Sequence, residues 1–126
     1  GLESIESQFQ LFNNMTTEQQ DEFLSQTIDE SNDSSDMVEK MHSLWRDAKD
    51  KVLLNTMVAD MKKKTPELYK SLNTDRNLAW LPQIKKFLDD NHQDDALVVV
   101  GSMHLLGKDG VVSLLKKEGY KVKRLK

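Results

Sequence analysis

The 126-residue chain has no cysteine, which excludes disulfides, thiolate zinc sites and cysteine nucleophiles, and leaves the compartment open. It also lacks any run of ~18 apolar residues, so no segment reads as a membrane-spanning helix. A basic stripe is missing as well: the net charge is -3. Lys62–Lys64, Lys116–Lys117 and Lys121–Lys126 flank the ends of expected elements, where they read as solvated faces, and nucleic acid is not an expected partner. Apolar residues are scarce, 37% against the usual ~45–50%, with a mean hydropathy of -0.64. They are nevertheless clustered and periodic, which is what a packed core needs. Of the three histidines, His42, His92 and His104, none sits in a zinc-protease spacing such as H-E-x-x-H, so spacing alone assembles no metal site. Internal repeats and low-complexity segments are absent.

What is present centres on Ala96-Leu-Val-Val-Val-Gly-Ser-Met-His-Leu-Leu-Gly107. The mostly β-branched run Leu97–Val100, after Asp94-Asp95, reads as a short strand buried on both faces. Gly101 ends it and permits a sharp turn, with His104 three residues on. In open α/β sheets ligands bind beyond the carboxyl ends of strands, which is where this places the His104 imidazole.

The rest is mostly helical in period. Ile5, Phe9, Phe12 and Met15 form the stripe of a short helix. Thr16 or Thr17, with an amide three residues on, makes a capping-box-like start to a helix carrying Phe23, Leu24 and Ile28. Ser31–Asp36 is a polar break. Met37, Val38, Met41, Leu44, Trp45 and Ala48 line one face of the next helix, and His42 falls off that face towards solvent. Val52, Leu53, Met57, Val58 and Met61 continue a helical pattern into Lys62–Lys64, cations suited to a helix C-terminus. Thr65-Pro66 is a helix start, with Thr as N-cap and Pro at the first helical position. Asn73-Thr74-Asp75 supplies the next cap, before a helix with Leu78, Leu81, Ile84, Phe87 and Leu88 inward and Pro82 kinking or restarting it. Residues 89–95 form an acidic loop holding His92. Asp109 caps a further helix through Val111, Val112, Leu114 and Leu115, which Gly119 ends. Tyr120, Val122 and Arg124 alternate with lysines as a final edge strand, so the last unit is β-α-β with a right-handed crossover.

Glu3 and His104 are the pair best suited to chemistry. A carboxylate and an imidazole bind a water-activating divalent metal, or act as base and acid without one.

Three stretches carry a resemblance to a known family. They are Gly1-Leu-Glu-Ser-Ile-Glu-Ser-Gln8, Asp75-Arg-Asn-Leu-Ala-Trp80, and Val99-Val-Gly-Ser-Met-His-Leu-Leu-Gly-Lys-Asp-Gly-Val-Val-Ser-Leu-Leu-Lys-Lys-Glu-Gly-Tyr-Lys-Val-Lys-Arg-Leu125. In this order they resemble the C-terminal part of the TraB/GumN family, which includes the TIKI proteases. That family is described by two G-x-x-H motifs with a glutamate between them. Gly101–His104 matches the second motif and Glu3 the glutamate. The first motif has no counterpart here, since no other histidine follows a glycine at that spacing, and it is expected upstream of Gly1.

The resemblance implies an α/β fold, α+β within this chain. Residues 1–126 would be a single domain: a strand end and first helix (1–15), a helical insertion of about four to five helices (16–93), and the β-α-β unit (94–126) of a larger parallel or mixed sheet. It implies metal-dependent peptide hydrolysis, with Glu3 and His104 as ligands of Mn²⁺ or Co²⁺, and Arg76 clamping an anionic group or steadying Glu3. Gln8, Asn77 and Gly101 would face substrate. With half the motif pair, this chain alone is expected to be inactive and to hold metal weakly.

Two other readings stay open. The family is similar in its motifs to erythromycin-esterase-like proteins, which implies metal-free hydrolysis with a His/Glu base. TraB-type members are associated with silencing peptide pheromones, so the helical insertion could instead sequester peptides without turnover. The partners expected are a peptide or protein substrate and a second copy paired through an exposed sheet edge. A secreted or membrane-associated setting for the longer protein is left open.

Overall fold

The structure, a computed structural model, describes residues 1–32, 34–89 and 95–125. Its elements in order are α1 (Ile5–Asn13), α2 (Thr17–Asn32), α3 (Ser34–Arg46), α4 (Asp50–Leu54), a π turn (Asn55–Ala59), α5 (Asp60–Lys64), α6 (Pro66–Tyr69), a second π turn (Lys70–Thr74), α7 (Asp75–Asp89), a 3-10 turn (Ser102–Leu105) and α8 (Val111–Lys117). They divide into two compact units, Ile5–Tyr69 and Gly1–Ser4 with Lys70–Lys126.

Local chemistry sets several boundaries as the sequence implies. Thr16 N–H donates to Gln19 Oε1 at 3.0 Å and Gln19 N–H to Thr16 Oγ1 at 3.2 Å, a reciprocal capping box that starts α2. Helix α8 closes in a Schellman motif, with Gly119 N–H donating to Lys116 O and Tyr120 N–H to Leu115 O, both 3.1 Å, and Gly119 at φ 93°. Helix α3 closes identically, Ala48 N–H to Trp45 O at 3.1 Å and Lys49 N–H to Leu44 O at 2.8 Å. There the left-handed position is filled by Ala48 at φ 57°.

Other boundaries depart from the sequence reading. The N-cap position of α8 is held by Gly110, and not by Asp109. Asn73-Thr74-Asp75 is no cap either, because the second π turn runs straight into α7 and buries Asn73. Helix α7 continues through Pro82 as one element; the proline removes a single N–H donor, the one that would serve the carbonyl of Leu78, a residue half exposed to solvent. Of the acidic loop expected at 89–95, Asp89 ends α7, and residues 90–94 with His92 lie outside the described residues.

In the unit Ile5–Tyr69, Met15, Leu53, Val58, Leu68 and Tyr69 are buried. Phe12 packs edge-on against Phe23 at 5.7 Å between ring centroids. Gln26 Nε2 donates to Thr65 Oγ1 at 3.0 Å, which ties α2 to the start of α6. The unit of Gly1–Ser4 and Lys70–Lys126 is built on Trp80, Ile84 and Val111, with Leu2, Val100 and Leu115 packed around them. Lys85 pairs with Glu118 and the Tyr120 hydroxyl with Asp89, joining α7 to the end of α8.

The expected β-α-β unit and the α/β fold class are not found: the described residues form helices and no strand. Gly1–Glu3, Leu97–Val100 and Tyr120–Arg124 are not paired into any ladder. The physical reason lies in what a strand requires. An apolar, β-branched run signals burial, but a strand exists only when neighbouring backbone takes up its N–H and C=O groups. No described segment does so for Leu97–Val100. Leu97 is 89% and Val99 80% exposed, while Val100 alone of the four packs against the core.

Candidate functional site

Helix α7 organises the site. Arg76, Trp80 and Gln83 recur at helical spacing along it, and all three hold the segment Leu2-Glu3. Arg76 Nε donates to Glu3 Oε1 at 2.7 Å and Nη2 to Oε2 at 2.8 Å, a two-pronged pair. Trp80 Nε1 donates to Glu3 Oε1 at 3.0 Å, and Gln83 Nε2 to the Leu2 carbonyl at 3.1 Å. Arg76 Nη1 is anchored in turn on Leu72 O at 3.2 Å, and its guanidinium lies 5.1 Å from the Trp80 ring.

One residue along, α7 presents Asn77, which is completely buried. Its Oδ1 lies 2.7 Å from His104 Nδ1, and its Nδ2 donates to the Asp109 carbonyl at 2.7 Å. His104 rides on the 3-10 turn, 7% exposed, with its ring 4.6 Å from that of Trp80. Gly110 permits this close-knit loop: a Cβ there would fall 2.5 Å from Leu106 O and 2.7 Å from Leu105 C. Gly101, by contrast, has ordinary extended backbone (φ -59°, ψ 147°). A Cβ at Gly101 would meet His104 Cδ2 at 3.7 Å, plain van der Waals contact. The sharp turn expected of that glycine is therefore not what it supplies.

The electrostatics follow from this packing. Hydrogen bonding from Arg76 holds the Glu3 carboxyl below the usual carboxylate range; burial opposes this, and the Arg76 charge and Trp80 N–H reinforce it. Burial pushes the His104 imidazole below its usual value of 6.5, the Arg76 charge adds to that, and Glu3 works the other way. The site thus holds an ionised carboxylate and a neutral imidazole at pH 7.

Of the residues singled out in the sequence, Glu3, Arg76, Asn77, Gly101 and His104 come together in one unit. Gln8 lies exposed on α1, in the other unit, and His42 is exposed on α3. The sequence reading missed the part played by Trp80, which serves both Glu3 and His104. Its signal was the four-residue spacing from Arg76. It also missed the Asp109 carbonyl, which no side-chain pattern announces.

The donor set does not fit a divalent metal as it stands. Glu3 Oε1 already takes two N–H donors and Oε2 one, beside a fixed positive charge, which leaves one ring nitrogen of His104. A catalytic site asks for about three protein ligands. No group of three or more His, Asp or Glu side chains converges among the described residues.

No curated protein and no solved structure matches the chain. A family model, the TraB/PrgY/gumN family, matches residues 1–124, and with the ordered motifs placed as above, the chain belongs to that family.

Proposed function

We propose that this site is the acid–base half of a hydrolytic centre acting on a peptide or ester carbonyl, with His104 as general base. The observation that carries the reading is His104 itself: a buried, neutral imidazole whose Nδ1 is taken by Asn77 Oδ1 and whose Nε2 has no partner among the described residues. A base of this kind takes a proton from attacking water and contributes on the order of 10²–10⁴ in rate. The Glu3 carboxylate, held ionised by Arg76, favours the imidazolium that forms, while the Arg76 charge returns the proton readily.

The metal-assisted reading requires Glu3 to leave Arg76 and Trp80. The sequestration reading requires no working imidazole. Hydrolysis of p-nitrophenyl acetate and of a fluorogenic peptide panel separates the three. Turnover that survives EDTA and falls at least tenfold in His104→Gln is the expected result. Turnover that appears only with added Mn²⁺ or Co²⁺ overturns the metal-free base. Ester turnover unchanged in His104→Gln overturns catalysis by this residue and leaves sequestration.

A further inference from the structure

The exposed apolar stripe of α1 and the unpaired run Leu97–Val100 have nothing in the structure that says what covers them. The buried Asn77 carries further. We propose that Asn77 is a positioning residue that fixes His104 in the tautomer protonated on Nδ1, so that the lone pair used for chemistry is always on Nε2. This rests on the reading of His104 as a base.

The argument turns on which end of the Asn77 amide faces His104. An amide has a donor end and an acceptor end, and which is which is set by its surroundings. Here one neighbour is a backbone carbonyl, Asp109 O, 2.7 Å from Asn77 Nδ2. A carbonyl only accepts, so the amide nitrogen must face it; a flipped amide would set two acceptors against each other in a buried place. Oδ1 is thereby committed to His104 Nδ1 at 2.7 Å. An acceptor at that distance requires a hydrogen on Nδ1, and a neutral imidazole then carries its lone pair on Nε2. Asn77 is wholly buried, so water offers no alternative partner.

An amide in this role differs from a carboxylate. It orients the ring and selects the tautomer without adding negative charge, which accords with a base that stays neutral below the usual histidine range. The backbone anchor has a second consequence. Asp109 sits directly before Gly110, whose missing Cβ lets the loop close on Leu105 and Leu106. The tautomer is thus set by main-chain geometry.

The test reads the tautomer directly, by ¹⁵N NMR of histidine-labelled protein above the titration range of the ring. The wild type should show His104 protonated on Nδ1. Asn77→Leu, of similar size but with neither polar end, should move the balance towards Nε2–H, the form free imidazole side chains favour in water. Asn77→Asp, which restores an acceptor towards Nδ1 and satisfies the Asp109 carbonyl by carrying a proton on its other oxygen, should return it to Nδ1–H. In Asn77→Leu the p-nitrophenyl acetate rate should fall roughly tenfold or more, with partial recovery in Asn77→Asp. A wild-type His104 protonated on Nε2, or a tautomer unchanged in Asn77→Leu, overturns the proposal. Should Asn77→Leu fail to fold, the wild-type and Asn77→Asp spectra still decide it. An Nδ1–H tautomer in a protein whose ester turnover ignores His104→Gln leaves this inference standing and removes the proposed function alone.

Discussion

Trp80 Nε1 donates to Glu3 Oε1 at 3.0 Å while the same side chain lies against His104, 4.6 Å between ring centroids. One aromatic residue therefore joins the carboxylate to the imidazole. The Glu3–Arg76 ion pair has its strength because Trp80 shelters it, with side-chain exposures of 16% and 27%.

Trp80→Phe should separate the two functions of this side chain. The N–H donor is lost together with the five-membered part of the indole while the six-membered ring is kept, at a cost of roughly 2 kcal/mol. Trp80→Ala should cost roughly 3–5 kcal/mol through the cavity it leaves. Urea unfolding of the two variants beside the wild type measures both. Equal losses would mean that the hydrogen bond, and not the packing, dominates.

Arg76→Met should destabilise the chain by roughly 1–3 kcal/mol, because it leaves a half-sheltered carboxylate with Trp80 as its remaining donor. Arg76→Lys keeps the charge and loses the two-pronged geometry, so it should recover only part of that. The midpoints of urea unfolding order the three proteins. Full recovery by lysine would show that charge alone matters.

Stability should fall on acidification in two stages. The folded pKa of His104 lies below its usual 6.5, so below about that pH the unfolded chain binds more protons. Stability is then full above 6.5 and is lost as pH falls through the folded value. Glu3 is also depressed, from 4.5, and adds a loss of the same sign at lower pH. Unfolding midpoints followed downwards from about pH 7 should show the first stage in the wild type and a shallower slope in His104→Gln. A wild type that gains stability on acidification through that window would contradict the burial of a neutral His104.

The two Schellman motifs make a matched pair. Gly119→Ala should cost about 1–2 kcal/mol from the left-handed backbone alone, because a Cβ there meets nothing within 4 Å. Ala48→Gly at the equivalent position of α3 should stabilise by roughly 0.5–1 kcal/mol. Thermal unfolding of both variants checks the signs. At Gly110 the cost is of another kind, since the added Cβ strikes the Leu105 and Leu106 backbone. Gly110→Ala should therefore lower ester turnover as well as stability, by shifting the Asp109 carbonyl that anchors Asn77.

The parts of this structure that local chemistry determines were legible in the sequence. Thr16 and Gln19 spell a capping box because both partners lie within one turn, and Gly119 ends α8 because only glycine adopts that backbone freely. Glu3, Arg76, Asn77 and His104 were legible as motif positions of the family. Long-range pairing was not. Leu97–Val100 has the composition of a buried strand, but composition names a preference and cannot supply the neighbour that a ladder needs. Asp109 read as the cap of α8, but Gly110 holds that position and the Asp109 main-chain carbonyl anchors Asn77. Asn77 read as a substrate contact, and its amide is spent between His104 and that carbonyl.

The most direct test of the central claim is the pH–rate profile of p-nitrophenyl acetate hydrolysis, wild type against His104→Gln, in EDTA. A neutral buried base predicts a rate that rises through an apparent pKa below 6.5 and then levels, with that rise absent in the variant. A profile that is the same in both proteins would contradict it.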